Sequence, residues 1–233
     1  MKSKLKSKPK SSRHSSLAQA HESSGKSNLT GCLDPLEKLL RQCIDDFILG
    51  NLAARVVSAG LKVLGIGFRP VIDHITFRTL SVETRAKEFI KLGYRYDAKL
   101  GVINYDHWWA KVYRKPGYPT LFIDQAFGGK RGKGSWIPGW VETFGDKALY
   151  HVAIQVDNIE TAVFYLEKQG IPFAGKIIGD KGSDLRQVFT QPEIKNGMVF
   201  SVLELTERHR GNAGFFPPQA DNLISFSRLH IKR

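Results

Sequence analysis

Two short stretches 77 residues apart carry the same landmarks, and this repeat constrains the fold more than any other feature. One reads His74-Ile-Thr-Phe-Arg78 and the other His151-Val-Ala-Ile-Gln155. In each, Glu-Thr stands nine and ten residues after the His (Glu83-Thr84, Glu160-Thr161) and a Gly stands nineteen after it (Gly93, Gly170). Between the landmarks, Val82, Ala86 and Phe89 match Ile159, Val163 and Leu166 as the apolar stripe of an amphipathic helix. A strand–helix unit with a histidine at a fixed place is therefore duplicated, and a repeat of this kind has to be recognised before a fold is assigned.

The spacing predicts strand 71–80 and helix 82–92 in the first copy, then strands near 94–104, 108–113 and 120–127. The second copy predicts strand 149–156, helix 159–169 and strands near 173–179, 185–190 and 197–207. Each module reads βαβββ, and two such open sheets side by side bury a common concave face. Ahead of them, Leu36, Leu39, Leu40, Cys43, Ile44, Phe47 and Ile48 recur every three or four residues after Asp34-Pro35, and a second helical run spans 52–64. The expected division is a disordered basic tail (1–30), a helical segment (31–69), the first module (70–127), a Gly-rich connector (128–147), the second module (148–210) and a C-terminal tail (211–233).

Side chains alternate across a strand, so parity separates two faces. Val71, Ile75 and Phe77 share the face that suits the module helix, with Asp73 the polar exception, while His74, Thr76 and Arg78 share the other. In the second copy His151, Ala153 and Gln155 oppose Val152, Ile154 and Val156, and in the last strand Glu204 opposes Leu203 and Leu205. Three strands thus each send a metal-capable side chain to the face away from the helices. Two imidazoles and one carboxylate suit a facial triad on Fe(II), and also Zn with a bound water. The same three residues also read as hydrogen-bonded interior polar groups.

At this point the residues resemble a known superfamily. Paired modules with His on the first strand of each and Glu on the last strand of the second resemble the vicinal oxygen chelate fold. Gln187-Val-Phe-Thr-Gln-Pro192, Val202-Leu-Glu-Leu-Thr-Glu-Arg208 and Gly214-Phe215 are similar to the C-terminal module of the 4-hydroxyphenylpyruvate dioxygenases. Asp73-His-Ile-Thr-Phe-Arg-Thr79 resembles the DUF1338 family, whose characterised members are 2-oxoadipate dioxygenase/decarboxylases. The resemblance implies an α+β fold, two βαβββ modules forming a shared open barrel behind an N-terminal helical segment. It implies an oxidoreductase that uses Fe(II) and dioxygen on a 2-oxo acid, with His74, His151 and Glu204 as metal ligands. Zn, Mn or Ni stay open as alternatives. Arg78 takes the role of the catalytic arginine that grips a substrate carboxylate, and Gln187 that of a pocket glutamine. Strict repeat offset puts Phe127 opposite Glu204, with Asp124 nearby, where four-ligand members carry another ligand; a three-ligand open site is implied. The chain is far shorter than the characterised decarboxylases, so specificity for a 2-oxodicarboxylate does not follow from the motifs.

Other features narrow the alternatives. The net charge of +13 raises nucleic acid as a partner, but residues 1–27 alone hold seven Lys or Arg against one Glu, so much of the excess sits in a tail and nucleic acid is not expected. That Ser-rich tail leaves organellar targeting open beside a cytoplasmic location. No apolar run is long enough for a membrane span. Cys32 and Cys43 read as small apolar fillers in a reduced compartment. Ser24-Gly-Lys-Ser27 lacks the upstream Gly of a phosphate loop, Gly128–Gly134 reads as a flexible basic connector, and His107-Trp108-Trp109 as core aromatics with an edge His. Neither a Gly-x-Ser-x-Gly elbow nor a Cys-x-x-Cys pair is present. Against the oxygenase stand a glyoxalase-type isomerase or lyase and a metal-free binding module of the same fold. Oligomeric state is not legible.

Overall fold

The computed structural model describes residues 34–216. The basic tail, its targeting reading, Cys32, Pro217-Pro218 and a short helix expected from Asp221 lie outside the described residues.

Two helices open the described chain, α1 (Pro35–Gly50) and α2 (Leu52–Val63). Leu36, Leu40, Cys43, Ile44 and Phe47 form the buried stripe of α1, as their spacing requires. Asn51 separates the helices in an extended conformation: its Oδ1 accepts from the Ala54 N–H to cap α2, and its Nδ2 donates to Ser201 Oγ, 150 residues away. A 3-10 turn (Arg69–Val71) then leads into β1 (Ile72–Arg78), α3 (Val82–Lys91), β2 (Arg95–Tyr96), β3 (Val102–Asn104), β4 (Trp108–Arg114) and β5 (Thr120–Ala126). After α4 (Gly129–Gly132) and α5 (Ile137–Phe144) come β6 (Leu149–Gln155), α6 (Ile159–Lys168), β7 (Leu185–Phe189), β8 (Glu193–Lys195) and β9 (Met198–Arg208). Among the described residues no helix is long and apolar enough to cross a membrane.

The repeated landmarks have local causes. Ser81 and Asn158 cap α3 and α6 by accepting from the N–H groups of Thr84 and Thr161, which fixes where each helix starts after its strand. Gly93 and Gly170 follow the helix ends with φ of 95° and 79°, a left-handed turn that a side chain resists.

The strands run in the order β2-β4-β5-β1-β6-β9-β7, with β3 beside β4 and β8 beside β9. β1 and β6 meet antiparallel at the centre; each then pairs in parallel with the last long strand of its own module, β5 and β9. The result is an α+β chain with one open, unclosed sheet. Helices α1, α3 and α6 cover its convex side, where Ile75, Phe77, Val152, Ile154, Leu203 and Leu205 are buried. Val112, Phe122, Trp140, Tyr150, Phe189 and Val202 pack on the concave side. Each of these side chains contributes roughly 1.5–3 kcal/mol on burial, so both faces of the sheet are anchored.

Three expectations are corrected. Residues 128–147 are not a loop throughout: α4 and α5 form there, because Ile137, Trp140 and Val141 at helical spacing bury one face behind Pro138 in the first turn. No strand spans 173–179; only isolated bridges Phe173–Thr190 and Ile178–Gln187 occur, since Gly175 and Gly179 turn left-handed with φ of 99° and 100° and interrupt an extended run. The segment 94–104 divides into β2 and β3 around the positive φ of Gly101.

Candidate functional site

β1, β6 and β9 lie side by side, so residues of matching parity on them converge on the concave face. The structure brings His74, His151 and Glu204 together there. His74 Nε2 lies 3.1 Å from His151 Nε2, and Glu204 Oε2 lies 3.3 and 3.4 Å from the two. Donors about 2.1 Å from a shared ion lie roughly 3.0 Å apart at right angles and about 3.4 Å apart at the tetrahedral angle. The three side chains therefore fit a divalent metal ion. Glu204 is oriented for it: Oε1 accepts from Gln187 Nε2 and Thr206 Oγ1, leaving Oε2 to face the imidazoles. Gln187 thus lines the cavity with its amide nitrogen committed to Glu204. Thr76 Oγ1 stands 2.9 Å from His151 Nε2.

Arg78 is fully buried in the same cavity. Its guanidinium lies over the rings of Tyr150 at 3.3 Å and Trp136 at 3.7 Å, with Asp124 Oδ2 3.6 Å from Nε. Such a stack holds a planar cation in one orientation. Trp136 and Trp140 come from the α5 region, so the Gly-rich connector (128–147) supplies part of the cation's wall. Trp108 is buried in the concave-side core and also lines the cavity, stacked 3.6 Å from Tyr105, whereas His107 sits at the edge against Arg131 O. Phe215 closes the other side, edge-on to the His74 ring at 5.0 Å and near Phe122 at 5.5 Å. The space left is about 30 Å³, room for an ion and a water or two.

The residue opposite Glu204 differs from that given by repeat offset. His74 pairs with Thr120 across β1 and β5, and His151 with Val202 across β6 and β9. Sheet register therefore makes Phe122, not Phe127, the counterpart of Glu204, because the second module carries five more residues between its His and its last strand. An apolar ring occupies the place where a fourth donor would stand.

Charges in the site are uneven. Burial alone would lower the His74 imidazole, but the carboxylates of Glu204 and Asp73 outweigh it and hold it at about 9. His151 goes the other way: burial, then the charges of His74 and Arg78, push it well below the usual range. Burial raises Asp124 to about 7 against the pull of Arg78. Asp73 is held well below the carboxylate range by His74 and Arg208, although burial opposes them. One proton thus resides on His74 at neutral pH, and a cation entering the site displaces it. Apparent metal affinity is expected to rise about tenfold per pH unit up to about pH 9 and then level off. Calorimetric titration in buffers of different ionisation enthalpy should read about one proton released per ion at pH 7.

No family model and no curated protein matches the sequence. Among solved structures, hydroxyglutarate synthase from Oryza sativa, in complex with 2-oxoadipate, is similar with a TM-score of 0.65 and 15% identity, over 82% of this chain and 91% of that one. A glyoxalase-superfamily protein from Ralstonia eutropha gives 0.56 and 14%, over 76% and 84%. A variant of 4-hydroxymandelate synthase from Streptomyces coelicolor gives 0.50 and 17%, over 71% and 55%. At such identities the likeness establishes the fold, which is of the vicinal oxygen chelate type.

Proposed function

We propose that this chain is a non-haem Fe(II)-dependent dioxygenase/decarboxylase of 2-oxo acids, on the DUF1338 side of its superfamily. The observation that carries the reading is the convergence of two buried imidazole nitrogens and one carboxylate oxygen, from three different strands, at mutual distances of 3.1–3.4 Å. When bound, ferrous iron supplies the redox chemistry with dioxygen, and three protein donors leave adjacent positions for small molecules. Phe122 in place of a fourth donor supports this open version over a closed, fully ligated site.

The chain's own residues support a substrate class. Arg78 lies on the same face of β1 as His74, about 13 Å along the strand, so it meets the far end of a ligand whose 2-oxo acid end sits at the metal donors. A second carboxylate, or another anionic group, fits that cation bidentately. The 2-oxoadipate in the Oryza sativa structure is such a molecule, and we take a 2-oxo acid with a distal acidic group as the substrate class. Trp108, Phe122, Phe189 and Phe215 form an apolar wall that excludes water. A substrate of this size enters only where Phe215 and Phe216 give way.

The test is oxygen consumption by anaerobically prepared, Fe(II)-loaded protein given a panel of 2-oxo acids including 2-oxoadipate. Uptake matched by carbon dioxide release, and lost in Glu204→Ala, is the expected result. Iron binding without uptake across the panel would turn the reading to the glyoxalase-type isomerase or lyase, and absence of any bound metal would favour the binding module.

A further inference from the structure

We infer that Asp73, held by Arg208, is the positioning residue that sets His74 for metal binding; the inference rests on the metal-site reading above. Strand parity places Asp73 on the apolar, helix-facing side with Ile75 and Phe77, an unfavourable place for a carboxylate. The structure resolves the conflict with an irregularity: the β1–β6 register shifts between Ile72 and His74, at Asp73 itself. A residue bulged out of the ladder is released from strict alternation and can be re-aimed.

The re-aimed carboxylate is fully engaged. Its Oδ2 lies 2.6 Å from His74 Nδ1, and Arg208 donates to both oxygens, Nε to Oδ1 at 2.6 Å and the terminal nitrogen to Oδ2 at 2.9 Å. Arg208 is four residues past Glu204 on β9 and shares its face, so β1 and β9 each provide one metal donor and one half of the positioning pair. The same guanidinium donates to Gly214 O at 2.8 Å, beside the Phe215 that packs on the His74 ring. An imidazole whose Nδ1–H donates to a carboxylate presents the Nε2 lone pair to the metal, in one ring orientation and with increased basicity.

His151 lacks this support: its Nδ1 is buried without a hydrogen-bond partner among the described residues. At the position preceding the histidine the second module carries Tyr150 in place of an acid, and that ring lies under Arg78 instead. The duplicated position has thus diverged, orienting the metal donor in one module and the substrate cation in the other.

The experiment is a titration of the full chain with Zn(II), comparing wild type, His74→Ala, Asp73→Asn and Arg208→Gln. Asp73→Asn keeps the shape but offers one acceptor oxygen where three N–H donors converge, and is expected to weaken binding about 10–100-fold, with Arg208→Gln in the same direction. In the Zn-loaded wild type, nitrogen-15-resolved NMR is expected to find a downfield, slowly exchanging Nδ1 proton on His74 and none on His151, a signature that general destabilisation does not produce. If wild type binds Zn(II) more tightly than His74→Ala while Asp73→Asn matches wild type, the positioning role is overturned and the metal site stands. If the two imidazoles give equivalent, fast-exchanging Nδ1 protons, the role is likewise overturned, even should the variants not fold. Failure of wild type itself to bind Zn(II) overturns the metal site and this inference together.

Discussion

Replacing either His74 or His151 with Ala is expected to remove stoichiometric Fe(II) binding, lowering affinity by two to three orders of magnitude. Metal sites worth about 10–16 kcal/mol over four donors assign roughly 3–4 kcal/mol to each. Metal content after dialysis and an anaerobic titration read this directly. The two variants should differ in the metal-free state. The His74 imidazolium lies between Asp73 and Glu204, so its loss removes a counter-charge from both and leaves Asp73 to Arg208 alone. The folded pKa of His74, held at about 9, is above the ordinary 6.5. The stabilisation is therefore fully present below about pH 6.5 and lost as pH rises through 9, amounting to about 3 kcal/mol by linkage. The proton-linked part of the stability gap between wild type and His74→Ala should be largest at pH 6 and nearly gone at pH 9.5, leaving only the pH-independent cost of deleting a buried ring. His151, held neutral by burial, gives no such gap. Equal losses for both variants, at every pH, would show that the proton does not reside where the carboxylates place it.

Arg78→Met is expected to cost about 10²–10⁴-fold in kcat/KM toward an acidic 2-oxo acid, since loss of one partner of a buried ion pair costs about 3–5 kcal/mol. A neutral 2-oxo acid should lose far less, and that contrast separates recognition from general damage. Folding is affected too, because Asp124 keeps its burial and loses the counter-charge of Arg78. Asp124 is raised to about 7 from 3.8 while Arg78 is present. A carboxyl with a raised folded pKa is accommodated best below about pH 4, and its contribution falls as pH rises towards the folded value. In wild type that fall ends near pH 7; without the cation it continues above. Urea denaturation should therefore find Arg78→Met close to wild type at pH 5 and clearly less stable at pH 8. Adding Asp124→Asn should restore most of the stability at pH 8 and none of the preference for acidic substrates.

What was legible in the sequence is what has a local cause. Strand parity is set by backbone geometry two residues at a time, so His74, Thr76 and Arg78 could be assigned to one face, and Glu204 to the face opposite Leu203 and Leu205, without knowing the neighbours. The helices α1, α2, α3 and α6 announce themselves through apolar periodicity, with Gly93 and Gly170 as stops, whereas the caps Ser81 and Asn158 were found only in the structure. Duplication of these signals determined the paired modules, and the modules the open sheet.

Tertiary structure decided the rest. Which residue faces Glu204 depends on the pairing of segments far apart in the chain, and five extra residues in the second module move that place from Phe127 to Phe122. The signal at Asp73 was present as a polar residue on an apolar parity, but only pairing with β6 creates the irregularity that turns it towards His74 and Arg208. Helix α5 is eight residues long, too short to persist alone; the concave face of the sheet stabilises it and so brings Trp136 and Trp140 against Arg78. Periodicity within a segment is fixed by its own backbone, whereas register, bulges and short helices are fixed by what the folded chain packs against them.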